Sequence, residues 1–138
     1  MSMTSKTVVE AYIDGSCLGN PGKIGAGYLM YKKDVLIRKE SVFLGEGTNN
    51  IAEYMALLVV LCELISSGIK SVRIYSDSNL LCEQINGNFK VKNKNILPLH
   101  VLAKKFISHF DDFSIAHIDR EKNKEADKLA KNAIGFMF

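Results

Sequence analysis

The chain has 138 residues, 15.4 kDa, with 47% apolar and 24% charged residues, enough apolar material for the core of one compact domain. That composition excludes a disordered tail, a collagen-like repeat and a minimal disulfide scaffold. Lys and Arg number 18 against 15 Asp and Glu, a net charge of +3, which by itself selects no partner.

The three cysteines, Cys17, Cys62 and Cys82, include no C-x-x-C pair. A complete disulfide framework and a four-thiolate zinc site are excluded, and a reducing compartment is expected. The opening M-S-M-T-S-K lacks the apolar stretch of a secretory signal. The longest apolar run, Tyr54 to Cys62, is nine residues, against the roughly 20 that a membrane-spanning helix needs. The expectation is one soluble, cytoplasmic, monomeric domain over 1–138, with its core at about 7–133.

Thr7 to Asp14 is rich in β-branched and aromatic residues and predicts a first strand. The turn-rich G-S-C-L-G-N-P-G-K follows, then strands at Ile24–Tyr31 and Val35–Leu44, an antiparallel meander. Gly45 to Asn49 breaks the pattern. Asn50 to Ser66 is long and rich in Ala and Leu, which predicts a helix ended by Gly68. Ser71–Ser76 is a fourth strand and Ser78–Ile85 a short helix. Ile96–Phe110 is a helix with Pro98 in its first turn, and Phe113–Ile118 a fifth strand. Asn123 is the expected cap of a last helix, Lys124–Ala133. The order β-β-β-α-β-α-α-β-α specifies an α/β domain, a mixed sheet covered by helices.

Four carboxylates occupy telling places. Asp14 ends the first strand and Asp77 follows the fourth; on parallel neighbours about 4.8 Å apart they share one rim, at the kind of switch point where open α/β sheets bind ligands. Glu53 heads the stripe Ala56, Leu57, Val60 and Leu64 that faces the sheet. A lone carboxylate there requires a cation or protonates. Asp127 sits in the first turn of the last helix, favoured by its dipole. Converging carboxylates repel by roughly 4 kcal/mol per pair at 4 Å in an effective dielectric of 20. Divalent cations relieve that repulsion, and an all-oxygen donor set favours Mg²⁺, or Mn²⁺, over zinc. Two such ions about 3.5–4 Å apart activate water and stabilise the leaving oxygen in phosphodiester cleavage. Gly25-Ala26-Gly27 lacks the third glycine of a dinucleotide loop, and Gly22-Lys23 lacks the Ser or Thr of a phosphate-binding loop.

Four ordered stretches, D-G-S-C-L-G-N-P-G from Asp14, T-N-N-I-A-E-Y from Thr48, Y-S-D-S from Tyr75 and R-E-K-N-K-E-A-D from Arg120, resemble ribonuclease H, type 1, in the compact form without an extended basic protrusion. The resemblance implies a five-stranded sheet in order 3-2-1-4-5. It also implies cleavage of the RNA strand of an RNA–DNA hybrid to 5′-phosphate and 3′-hydroxyl ends, with double-stranded RNA a further candidate substrate. Asp14, Glu53, Asp77 and Asp127 match the metal-binding carboxylates. Thr48 matches a DNA-phosphate contact, and Cys17, Asn20, Asn49, Asn50 and Asn79 match or approximate minor-groove contacts. Such contacts suit the wide minor groove of an A-like helix, which displays the 2′-hydroxyl.

Where bacterial members carry a catalytic histidine, this chain offers His117 and Arg120. His117 reads as a packed strand histidine, and Arg120, in the loop, as the charge-stabilising or phosphate-contacting group. Lys90, Lys92 and Lys94 stand where relatives insert a basic helix and are expected to make hybrid binding salt-sensitive. A hybrid-binding module without catalysis is disfavoured by the full carboxylate set, and a 3′–5′ exonuclease by the absence of a second acid in Asp14-Gly15-Ser16. His100 and His109 are read as structural, and the Met and Phe residues, including the tail Gly135 to Phe138, as packing on the core.

Overall fold

The computed structural model describes residues 7–135. Its elements are β1 (Val8–Leu18), β2 (Gly22–Lys32), β3 (Val35–Gly47), α1 (Asn49–Ser66), β4 (Ser71–Ser76), α2 (Asn79–Ile85), α3 (Leu97–Ile107), β5 (Asp112–His117) and α4 (Lys124–Gly135), with a 3₁₀ turn at Arg120–Lys122. The order is the expected one, and the sheet runs β3-β2-β1-β4-β5. β1 pairs antiparallel with β2, and β2 with β3. β4 is parallel to both β1 and β5.

The meander turns at Lys33 and Asp34, both at positive φ (47° and 67°), a two-residue turn whose twist matches that of the strands it joins. Thr48 caps α1 through its hydroxyl, which accepts from the Ile51 N–H. Gly68 ends that helix at φ +75°, a conformation that costs a residue without Cβ nothing.

Alternation along β1 divides the core. Val9, Ala11 and Ile13 face α1, where Leu57, Val60, Leu61 and Leu64 complete the main core with Val72 and Ile74 of β4. Tyr12 faces the other side, against Leu29, Ala126 and Leu129. α4 lies there, close over β2: a Cβ on Gly27 would overlap the Ala126 and Ala130 backbone. By length and a hydropathy of 1.4, α1 could cross a membrane, yet half of it is buried inside this fold.

Several boundaries differ from expectation. β1 continues four residues past Asp14 to Leu18, because Gly15 to Leu18 pair with Ala26 to Lys23 of β2. α3 stops at Ile107, and the Ser108, His109 and Phe110 N–H groups close it as turns. Phe106, Phe110 and Phe113 pack on the core as expected, whereas Phe89 is 45% exposed. The tail beyond Gly135, and the first six residues, lie outside the described part.

Candidate active site

The site forms where the sheet splits. The parallel β1–β4 ladder ends at Ile13↔Ser76, while β1 goes on along β2, with Asp14 opposite Gly27. β4 leaves the sheet at Asp77; the Ser76 hydroxyl accepts from the Ser78 N–H and the Ser78 hydroxyl caps α2. The β1 main chain beyond Ile13 is thereby left without a strand on that side. Buried main-chain groups need partners, and side chains supply them. The Gly15 N–H donates to Glu53 Oε1 at 2.9 Å, and the Ile13 carbonyl accepts from the Asn123 amide at 2.8 Å.

Glu53 is 7% exposed and Asp14 4%, which places both carboxylates in the interior. α1 reaches Gly15 so closely that a Cβ there would overlap the Ala52–Glu53 backbone. Asp14, Glu53 and Asp77 each offer one oxygen, and the three lie within 4.8 Å of one another. Burial first, and then the charges of Glu53 and Asp77, push the Asp14 carboxyl up to about 9; Asp127 adds to the shift. Burial pushes Glu53 up to about 8, opposed by the Gly15 N–H and by the Arg120 charge. None of the three takes part in the ion pairs found among the described residues. Two buried carboxyls that burial holds back from ionising, with the half-buried Asp77 within 4.8 Å of both, make a compact set of hard oxygen donors that fits a divalent metal.

Asp127, in the first turn of α4, stands beside Asp14 as the helix start predicts, but one of its oxygens is 3.0 Å from Lys131 Nζ. Arg120 is exposed in the 3₁₀ turn, and its charge reaches Glu53. His117 corrects the sequence reading. It is the last residue of β5 and exposed rather than packed, because β5 is an edge strand, and its Nε2 lies 3.3 Å from the Asp77 carbonyl.

The expected substrate residues lie at the far end of β1, in the turn to β2 and at the starts of α1 and α2. Cys17 Sγ contacts the carbonyls of Gly19 and Gly47, and Asn20 Oδ1 accepts from the Asn49 N–H. Asn50 is exposed in the first turn of α1, and Asn79 begins α2. Asn49 and Asn79 are exposed, and Thr48 is engaged as the α1 cap. His100, read as structural, meets the buried Tyr54 hydroxyl at 3.3 Å.

Asn123 stands at the start of α4 as expected, and sequence reasoning missed the work of its side chain. Its carbonyl does open α4, accepting from the Asp127 N–H. Its side chain is instead 2% exposed and donates to Ile13 O and, at 3.2 Å, to Asp77 Oδ2. A cleft of ≈ 390 Å³ beside Tyr12 and Tyr31 is also lined by Asn123. The pattern N-K-E-A-D reads as an ordinary helix start, and only the tertiary fold turns its Asn inward.

Comparison with known proteins places this arrangement. A family model described as "Reverse transcriptase-like" matches residues 12–133. A ribonuclease H of Parvibaculum lavamentivorans is 41% identical, over 96% of this chain and 95% of that protein. The crystal structure of RNase H1 from the archaeon Halobacterium salinarum superposes with a TM-score of 0.90 at 32% identity, covering 94% of this chain and 98% of that one. LC11-RNase H1, solved in complex with an RNA/DNA hybrid, gives a TM-score of 0.88 at 32% identity, over 94% and 98% of the two chains. The chain spans only 35% of the length of its mycobacterial relatives, which are 34% identical to it. With its sheet order, its split sheet and these relatives, the chain belongs to the ribonuclease H family, in the compact type 1 form.

Proposed function

We propose that this protein is a metal-dependent endoribonuclease that hydrolyses the RNA strand of RNA–DNA hybrids, leaving 5′-phosphate and 3′-hydroxyl ends. The observation that carries the reading is the meeting of Asp14, Glu53 and Asp77 within 4.8 Å at the split of the sheet. Their oxygens would hold the cation, with Asp127 beside Asp14 completing the set. Mg²⁺ is the proposed metal, with Mn²⁺ as a substitute; two such ions supply water activation and leaving-oxygen stabilisation.

The chain's own residues do the rest. Gly15 fixes the Glu53 carboxylate by its N–H. Arg120 holds positive charge beside Glu53 and would meet the phosphate. Cys17, Asn20, Asn49, Asn50 and Asn79 form the rim that reads the minor groove, and Thr48 grips a phosphate of the DNA strand. The exposed Lys90, Lys92 and Lys94 hold the backbone of the duplex. Three free thiols suit a cytoplasmic setting, and the unit acts as a monomer.

The test is cleavage of labelled hybrid, duplex RNA and single-ribonucleotide DNA, with Mg²⁺ and with EDTA. Metal-dependent cutting of the hybrid's RNA strand is expected, and lost when Asp77→Asn removes a ligand charge while the fold persists. A folded protein that binds hybrid but leaves it intact at every Mg²⁺ concentration overturns the reading.

A further inference from the structure

We propose that Asn123 is a positioning residue, whose side-chain amide locks the Asp77 carboxylate to β1 at Ile13, where the pairing with β4 stops, and so sets the spacing at which Asp77 and Asp14 share a cation. The inference rests on the metal-binding reading of the carboxylate cluster. One NH₂ group donates to Ile13 O at 2.8 Å and to Asp77 Oδ2 at 3.2 Å. Ile13 immediately precedes Asp14, and the Asn123 carbonyl accepts the Asp127 N–H. This residue therefore bonds to the peptide that precedes Asp14, to the Asp77 carboxylate and to the Asp127 N–H.

The orientation of the amide is forced. Both neighbours are acceptors, so rotating the amide would set Oδ1 against a carbonyl and a carboxylate. The orientation leaves Oδ1 buried without a partner among the described residues, an unfavourable state that native interiors avoid. A residue serving only to fill this space would be apolar. The donors are what the position needs. One donated bond leaves a carboxylate with lone pairs to spare for a cation, so the restraint on Asp77 does not compete with the metal. Groups that orient ligating side chains in this way typically change metal affinity or activity about 10–100-fold when removed.

The test is Asn123→Ala, with Mg²⁺ binding to the substrate-free protein followed by calorimetry. We expect Mg²⁺ affinity to fall about 10–100-fold, and the Mg²⁺ concentration for half-maximal cleavage to rise in step. Hybrid affinity in EDTA should stay unchanged. A folded Asn123→Ala protein whose Mg²⁺ affinity is within twofold of the parent overturns the proposal. If that variant fails to fold, the side-chain amide resonances of Asn123 in the parent protein decide. Slow exchange and a shift on Mg²⁺ addition support the lock; free exchange with no shift rejects it. A parent that binds Mg²⁺ and loses that binding on Asn123→Ala, but cuts no hybrid, retains the positioning role and overturns only the assigned activity. A parent that binds no Mg²⁺ overturns both.

Discussion

The Gly15 N–H and the Glu53 carboxylate, 2.9 Å apart, join β1 to α1 where β4 has left the sheet. The bond ties a structural need, an edge amide without a strand partner, to the ionisable group at the head of an apolar helix stripe. It has two separable parts, and two variants distinguish them. Gly15→Ala drives a Cβ into the Ala52–Glu53 backbone, and overpacking of this kind destabilises by about 1–3 kcal/mol. Glu53→Gln keeps an acceptor for the amide and removes the charge. Thermal melts should show Gly15→Ala the less stable of the two, whereas Mg²⁺ titration should show Glu53→Gln close to inert.

The pH dependence of the metal-free protein follows from the same burial. Asp14 and Glu53 ionise at about 9 and about 8 in the fold, against 3.8 and 4.5 when unperturbed. Between those values the folded state binds more protons than the unfolded one, so stability falls as pH rises. It is at its fullest below the unperturbed values and declines up to the folded ones. Mg²⁺ requires the ionised carboxylates, so the gain in melting temperature on adding it should grow with pH over that range. Melts in EDTA and in Mg²⁺ across the range check both signs; a metal-free midpoint that climbs with pH contradicts the burial argument.

The parts of this site that were legible in sequence are those fixed by local pattern. Asp77 announces itself by the turn residues that end β4, Asp14 by closing a β-branched and aromatic run, and Glu53 by its conflict with an apolar stripe. The order of elements follows from periodicity and loop composition. Tertiary partners left no such mark. The side chain of Asn123 in a charged helix start, or of His117 at a strand end, has the same local signature whether it points inward or out. The extension of β1 past Asp14 depends on pairing with β2 across a glycine-rich stretch that reads as loop.

Arg120 and His117 were rival candidates for the auxiliary role, and the structure gives them different surroundings. The Arg120 charge acts on Glu53 and lowers its ionisation point. His117 meets the main-chain carbonyl of Asp77. Arg120→Ala should therefore move the acidic limb of the pH–rate profile to higher pH, with a rate loss of roughly 10–100-fold near neutrality. His117→Ala should leave that limb where it is. A shift produced by His117→Ala alone would reverse the assignment.

The segment carrying Lys90, Lys92 and Lys94 joins α2 to α3 and has a buried anchor. The Gln84 amide donates to the Lys90 carbonyl at 3.4 Å, and Gln84 Oε1 accepts from the Tyr54 hydroxyl at 2.6 Å. Gln84 and Tyr54 are both buried, so the lysines, all exposed, extend from a fixed backbone. Each phosphate contact contributes about 0.9 to the slope of log affinity against log salt for a duplex. Replacing all three lysines with alanine should flatten that slope by up to about 3. The hybrid KM should rise at moderate salt, with kcat at saturating hybrid unchanged, because none of these three lysines is among the groups acting on Asp14 or Glu53. Gln84→Leu should raise KM by a smaller factor and leave the slope intact, since it loosens the segment without removing charge. An unaltered slope in the triple variant would move the duplex-binding surface elsewhere, toward the lysines of α4.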